Sequence, residues 1–233
     1  MREELIAAVF PRRCAICDKV IEASANVCAE CGARVHPIRG ATCMKCGKKL
    51  SDSERMYCYD CSRKIHHFDR GWAIFEYEDV RKSLYRFKYA GRAEYGRFYA
   101  EAADMYLGEV LRSLHADAII PVPIHRRRMR IRGYNQASVF AHELGVRIDV
   151  PVLDDYIIRQ KATIPLKKLG ESERRNNLKK AFIIGPNVVK LSTIIIIDDI
   201  YTTGATIDTI SNVCREGGIK HIYFLTVAIG SGL

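Results

Sequence analysis

The sequence predicts an α/β protein: a mostly parallel sheet flanked by helices and preceded by a small cysteine-rich module. Three observations carry this. Eight of the nine cysteines form four C-x-x-C pairs within the first 61 residues. After residue 70, short apolar runs alternate with amphipathic stretches, the pattern of strands joined by helices. Four consecutive isoleucines, Ile194 to Ile197, read as a central strand buried on both faces. The 233 residues are 48% hydrophobic and 27% charged, which excludes disordered and collagen-like classes. The longest runs free of polar residues, such as Leu5 to Phe10, fall far short of the roughly 20 a membrane helix needs, so no membrane span is predicted. The opening MREELIAAVFPRRC places two acids among its first four residues and lacks a secretory core, so the reading is of a cytoplasmic chain.

That reading governs the cysteines. In a reducing compartment structural disulfides do not persist, whereas paired thiolates at this spacing clamp a tetrahedral zinc. The pairs are Cys14/Cys17, Cys28/Cys31, Cys43/Cys46 and Cys58/Cys61, separated by ten, eleven and eleven residues. Such gaps let a short hairpin return one pair to face its predecessor. Sequential combination (Cys14, Cys17, Cys28, Cys31 and Cys43, Cys46, Cys58, Cys61) needs only local loops and is favoured; interleaved combination would close longer ones. A segment this small buries too little apolar surface to fold unaided, so two structural Zn²⁺ ions are expected, and four thiolates leave no position open for catalysis.

Beyond this module, GWAIFEYEDV (71–80) opens as a strand and turns acidic. RKSLYRFKYAG (81–91) spaces Leu84 and Phe87 as a short helix ending at Gly91, and Ala93 to Leu114 forms a longer one. DAIIPVP (117–123) is a buried strand, and Asn135 to Leu144 a helix with Gly145 just past its end. A strand around Val152 to Ile158 precedes a basic polar stretch, Arg159 to Lys180. Strands at Phe182 to Ile184, Ser192 to Ile197 and His221 to Ala228 follow, with a helix from Ala205 to Glu216 before the last. Cys214 lies among apolar neighbours on that helix and reads as an inert buried thiol.

The chemistry concentrates in IIIIDDIYTTGAT, Ile194 to Thr206. Small and hydroxyl residues at a helix N-terminus offer backbone N–H groups, hydroxyls and the positive helix end to a phosphate, and Gly204 permits close approach. Asp198 and Asp199, acceptors when ionised, can receive hydrogen bonds from vicinal sugar hydroxyls. A phosphate cradle beside a diol clamp describes a ribose-5-phosphate site. The segment resembles the motif with which type I phosphoribosyltransferases bind phosphoribosyl pyrophosphate (PRPP). That resemblance implies that Asp198 and Asp199 hold the ribose hydroxyls at the catalytic centre, and that Tyr201, Thr202, Thr203, Gly204, Ala205 and Thr206 hold the 5-phosphate.

A narrower resemblance covers nearly the whole chain. Phe10-Pro11 before the four C-x-x-C pairs, FKYAG (Phe87 to Gly91), PVP followed by basic residues, RGYNQA (Arg132 to Ala137), a basic loop closing with Ala181-Phe182, and the PRPP motif together look like the ComF family of late-competence proteins. It implies a double zinc-ribbon module over residues 1–68 and a type I phosphoribosyltransferase-like domain over 69–233, with Mg²⁺ accompanying PRPP and a role in DNA uptake. Within the family pattern, the strand end at Pro121 to Ile124 leads into a pyrophosphate loop in which Arg126, Arg127 and Arg128 become the anion contacts, since the planar guanidinium pairs bidentately with phosphate oxygens. Residues 160–178 become a hood over PRPP, with Thr163, Leu169, Arg174 and Asn177 in register and Leu166 where relatives carry Gln. Lys88 has two readings, a helix surface charge first and a residue facing the site second, and His66 and His67 read as structural or exposed.

Residues 116–190 carry 15 Lys and Arg against 7 acids, the main source of the formal net charge of +10. Such a field implies an anionic partner. Two functions fit: a phosphoribosyltransferase of unknown acceptor, or a module binding single-stranded DNA or a protein of the DNA-uptake machinery, with the PRPP pocket kept as a ligand site.

Overall fold

The computed structural model describes residues 11–160, 181–186 and 189–230. The hood positions Thr163, Leu166, Leu169, Arg174 and Asn177 lie outside them, as does Phe10.

Two short helical turns, α1 (Ala29–Gly32) and α2 (Tyr59–Arg63), each begin directly after the first cysteine of a C-x-x-C pair. Strand β1 (Arg70–Glu76) passes straight into α3 (Tyr77–Tyr89), which is followed by α4 (Tyr95–Ser113) and β2 (Ala118–Pro121). Next come α5 (Arg126–Arg132), α6 (Gln136–Ile148) and the short strands β3 (Ile157–Arg159) and β4 (Phe182–Ile184). The described chain closes with β5 (Thr193–Tyr201), α7 (Ala205–Glu216) and β6 (His221–Ile229).

Four strands form a parallel sheet in the order β1-β6-β5-β2. Ile194 to Ile197 are fully buried, as a central strand covered on both faces requires. Helices α3, α4 and α6 build the core on one face, around Leu84, Phe87, Tyr99, Phe140 and Leu144. On the other, Ile207, Ile210 and Cys214 of α7 meet Ile194, Ile196 and Phe224. The three-layer α/β arrangement expected from the sequence is therefore present.

The differences are local. Helix α3 starts four residues earlier than expected, with Glu78 and Asp79 in its first turn, where the helix dipole favours acids. Helix α6 runs on through Gly145 and ends at Asp149, whose left-handed backbone (φ 57°) terminates it. Gly145 is inside the helix because the chain returns against it: a Cβ there would meet the Val150 carbonyl at 2.7 Å. The strand expected over 152–158 divides into a single parallel bridge from Val152 to Ile119 and β3, which pairs antiparallel with β4 in a separate ribbon. Arg126 to Arg132 form a helix rather than an open loop.

The cysteine-rich segment straddles the β1 edge of the sheet. Its first half packs against α3 and α4: Arg86 donates to the Ile16 carbonyl (3.0 Å), and Arg92 and Tyr95 engage the Asp18 carboxylate. Its second half joins the opposite core, where Cys43, Cys46 and Cys58 are buried with Phe68 and Phe224. Between the halves, the Ile38 N–H donates to the Ile74 carbonyl at 2.8 Å, covering an edge strand that would otherwise expose unpaired backbone.

Phe68 stacks T-shaped on Phe224 (centroids 4.8 Å) and meets Tyr201 edge-on at 6.4 Å, tying the second half to the sheet. Phe68→Ala removes a fully buried ring from this junction. Urea unfolding should show a loss of about 3–5 kcal/mol, the range for deleting a core aromatic.

Candidate functional site

The eight paired thiols gather into two clusters, Cys14, Cys17, Cys28, Cys31 and Cys43, Cys46, Cys58, Cys61, with the four sulfurs of each within 4.8 Å of one another. This is the sequential combination. Facing sulfurs stand 3.8 Å apart (Cys17 and Cys28) and 3.7 Å apart (Cys46 and Cys58). Zn–S bonds of about 2.3 Å in a tetrahedron separate sulfurs by about 3.8 Å, so the residues present fit structural zinc. Burial pushes the Cys31 thiol up to about 12, and its hydrogen bond with Cys43 pushes Cys46 up to about 12. Four crowded thiols cannot all ionise unless a cation shares their charge.

The second centre lies at the carboxyl end of β5. Parallel pairing brings the ends of β1, β6, β5 and β2 to one edge, the usual place for a ligand in an open α/β sheet. Asp198 and Asp199 lie within the last part of β5, which runs on to Tyr201, four residues past the Ile197 end expected from the sequence. Their side chains are only partly exposed. Burial and the neighbouring Asp199 charge push the Asp198 carboxyl up to about 7, well above the usual carboxylate range. The Asp199 N–H donates to Asp198 Oδ1 at 2.8 Å, and Lys88 and Arg159 supply the nearest opposing charges.

Lys88 takes the second of the two placements that the sequence left open. Its Nζ lies 2.9 Å from Asp199 Oδ1, and both side chains are under a fifth exposed, so it belongs to the site. Its placement follows from two motifs that were separate in sequence. The Tyr134 hydroxyl and Gln136 Nε2 both donate to the Phe87 carbonyl, fixing the end of α3 that carries Lys88. Arg132 completes the junction, donating to Gln136 Oε1 (2.7 Å) and the Tyr89 hydroxyl (3.0 Å).

After β5 the chain turns through Thr202 and Thr203, both exposed, into Gly204 and α7. Gly204 adopts φ +75° with its Cα against the Tyr201 ring, so a side chain there would be strained and would collide with the phenol. Tyr201 is buried and stacks parallel on Phe224, 4.9 Å between centroids; its ring supports the turn from below. Thr202, Thr203, Ala205 and Thr206 are left around the N-terminus of a twelve-residue helix, where free backbone N–H groups and the helix dipole favour an anion.

The sequence offered no signal for what holds this helix from the side. Asp208, in its first turn, accepts from the His67 N–H (3.1 Å) and pairs with His66 Nδ1 at 2.6 Å. Both histidines thus tie the cysteine-rich segment to the turn.

Of the three adjacent arginines, Arg126 lines a cavity of about 440 Å³ with Arg159 and Gln160, and Arg128 lies close enough to Arg159 to perturb it. Burial holds the Arg159 guanidinium below its usual range, with Arg128 adding to the effect. The backbone N–H of Arg127 donates to His125 Nδ1 (3.1 Å), which caps α5. The three side chains are exposed on the β2 side of the acids. Among the described residues, no helix is long and apolar enough to cross a membrane.

Residues 5–62 match the family model of a double zinc ribbon domain. Competence protein F of Haemophilus influenzae is 37% identical over 108 residues, 46% of this chain and 47% of that protein. Competence protein ComFC of Streptococcus pneumoniae is 28% identical over 151 residues, 64% of each. ComFC of Bacillus subtilis is 29% identical over 155 residues, 63% of this chain and 58% of that one. The matches thus span about half to under two thirds of these relatives' length. Among solved structures, a purine phosphoribosyltransferase from Pyrococcus horikoshii aligns over 57% of this chain and 84% of its own, at 20% identity and a TM-score of 0.34.

Lys88 lowers the Asp198 proton affinity. In Lys88→Met the Asp198 carboxyl should therefore titrate at higher pH than in the wild type, followed by carbon-detected NMR of labelled aspartates. An unchanged midpoint would show that Lys88 does not set the charge of the pair.

Proposed function

We propose, from the premise that this chain belongs to the ComF family, that it binds PRPP at the end of β5 and transfers its phosphoribosyl group to a nitrogen acceptor. The observation that carries this is the juxtaposition of two partly buried acids, Lys88 on one of them, and a hydroxyl-rich turn opening α7.

In this reading Asp198 and Asp199 accept hydrogen bonds from the two ribose hydroxyls, and Thr202 to Thr206 receive the 5-phosphate. Arg126, Arg128 and Arg159 hold pyrophosphate on the β2 side. Carboxylate oxygens are a hard donor set suited to Mg²⁺, which when bound shields the negative charge of the leaving group. The acceptor's nitrogen lone pair forms the bond to the anomeric carbon while the bond to the pyrophosphate oxygen breaks. Pyrophosphate leaves with that electron pair, and the acceptor's N–H proton passes to pyrophosphate or solvent. Fixed phosphates and a fixed diol keep the reacting atoms in line, and no protein nucleophile is required. Zinc at the thiolate clusters is structural.

Ligand binding needs Asp198 ionised, and its raised titration near 7 sets the sign of the pH dependence. Calorimetric affinity for PRPP with Mg²⁺ should rise from pH 6 to pH 8 and level off above. Asp199→Asn should weaken it at least tenfold, and Asp198→Asn should remove the pH dependence. Absence of wild-type binding overturns the proposal.

A second reading is supported by a different surface. Tyr85 and Tyr89 on α3 are 64% and 55% exposed with centroids 5.2 Å apart, and the Arg132 guanidinium lies 4.8 Å over Tyr89. Exposed aromatics among cations form a stacking platform for single-stranded nucleic acid. Affinity for an oligodeoxythymidylate should fall steeply with salt, and Tyr85→Ala/Tyr89→Ala should weaken it by about 1–3 kcal/mol per stacked base. An unaltered affinity in the double variant would place any DNA contact elsewhere.

A further inference from the structure

A cavity of about 730 Å³ opens beside the turn into α7, bounded by Thr202 and Thr203, by the ends of β1 and β6, and by the second cysteine-rich hairpin. A phosphate held on that turn therefore has open volume next to it. The volume lies within the range of small-molecule sites and far exceeds what one phosphate group fills. Most of the charges around it are already paired. Lys48 Nζ is 3.1 Å from Asp60 and Lys49 Nζ is 3.0 Å from Glu76, while Glu78 pairs at 3.9 Å with Arg81, which does not line the cavity. Lys64 differs: it is exposed, it shares the cavity with Thr202 and Thr203, and among the described residues it has no ion-pair partner. One cation is thus left for a ligand, and it stands on the far side of the turn from the acids of β5. Leu50, Tyr77 and Ile229 add apolar surface.

We infer, on the premise of the proposed sugar-phosphate site, that this cavity takes the nucleoside half of a nucleoside diphosphate ribose: a ribose whose 5-phosphate is joined through a second phosphate to a nucleoside. The ribose diol lies on Asp198 and Asp199, the first phosphate on the turn, the second on Lys64, and the nucleoside in the cavity beyond.

Charge and surface select this class. A diphosphate diester carries one negative charge on each phosphorus, and each meets one positive feature, the helix end for the first and the Lys64 ammonium for the second. A 5-phosphate monoester leaves Lys64 and the cavity unused. A more highly charged tail, such as a triphosphate, would have to break the Lys48–Asp60 or Lys49–Glu76 pair to gain a further cation. A nucleoside leaves both pairs intact. Its ring can lie against Tyr77 and Leu50, and its hydroxyls can donate to Asp60 or Glu76, because a carboxylate held by one lysine keeps lone pairs to accept with. The cysteine-rich segment thereby supplies a wall and a cation to the ligand site.

The test titrates the full zinc-loaded chain, with Mg²⁺, by calorimetry with four ligands: PRPP, ribose 5-phosphate, ADP-ribose, and ADP, which lacks the terminal ribose. ADP-ribose should bind at least tenfold more tightly than ribose 5-phosphate or ADP and should compete with PRPP. Ser51→Trp fills the cavity from an exposed position, and Lys64→Met removes its unpaired cation. Each should weaken ADP-ribose at least fivefold and leave PRPP within twofold, which also shows that the variants fold. ADP-ribose no tighter than ribose 5-phosphate, or indifferent to both substitutions, overturns the nucleoside pocket and leaves PRPP binding standing. An equal loss of PRPP and ADP-ribose in Lys64→Met puts this lysine on the first phosphate and overturns its assignment to the second. Binding of ADP-ribose without PRPP removes the transfer reading and upholds the pocket. A chain that binds neither removes both.

Discussion

Ile194 to Ile197 exclude water on both faces of one strand, and that is possible only in the interior of a sheet with a layer of structure on each side. Helices α3, α4 and α6 must then cover one face and α7 the other, and the connections they make leave every strand of the sheet parallel. Parallel strands put their carboxyl ends at a single edge. The apolar run stops at Asp198, so the first polar groups of the central strand emerge where four chain crossings supply loops. Without the buried run the two acids would have no fixed relation to Lys88, 111 residues away in sequence, or to the turn into α7.

The cysteine-rich segment depends on the same sheet and repays it structurally. A segment of this size lacks a core of its own, and here each half borrows one: Ala15 sits in the core with α3 and α4, while Cys43, Cys46 and Cys58 sit with Phe68 on the α7 face. In return, Phe68 packs against Tyr201 and Phe224, and His66 and His67 bind Asp208. Tyr201 lies under Gly204. A continuous path of packed rings therefore runs from the second thiolate cluster to the turn that opens α7. Zinc held at those thiolates stabilises the geometry of a turn it does not touch.

Much of this was legible because the local signals agree with the global fold. C-x-x-C pairs at near-equal spacing encode two tetrahedral sites directly, and the isoleucine run, the acid pair and the Thr-Thr-Gly turn occupy the positions their chemistry predicts. Helix 205–216 was read to the residue. What escaped was set by tertiary contacts. Gly145 carries the local mark of a helix end, yet the returning chain at Val150 and Val152 needs a residue without a side chain inside the helix. The three arginines read as a loop because charge says nothing of backbone conformation; His125 capping and Gly133 at φ +79° make them a short helix. Lys88 resembles any basic residue on an exposed helix face until Tyr134 and Gln136 fix the Phe87 carbonyl beside it. Asp208 lies 142 and 141 residues from His66 and His67 and shares no pattern with them.

The electrostatics of the edge follow from a conflict that the fold resolves by separation. In the proposed reading a ligand carrying phosphates sits beside two carboxylates, and like charges at close range in a partly buried site are costly. Burial and the Asp199 charge already push the Asp198 carboxyl up to about 7 before any ligand charge is added. Cations are therefore needed on the acids themselves and not only on the phosphates. Lys88 reaches Asp199 from α3, and Arg159 approaches Asp198 from β3, each from an element outside the strand that bears the acids. In that reading the phosphate end falls to a helix N-terminus, which attracts anions with backbone dipoles and without a mobile side chain that could collapse onto the carboxylates. His66 and His67 engage Asp208, so the one acid in the first turn of that helix is occupied and turned toward the cysteine-rich segment. Lys88 and Arg159 thus bring positive charge to the acid pair from two separate elements, the compensation that the proposed sugar phosphate needs.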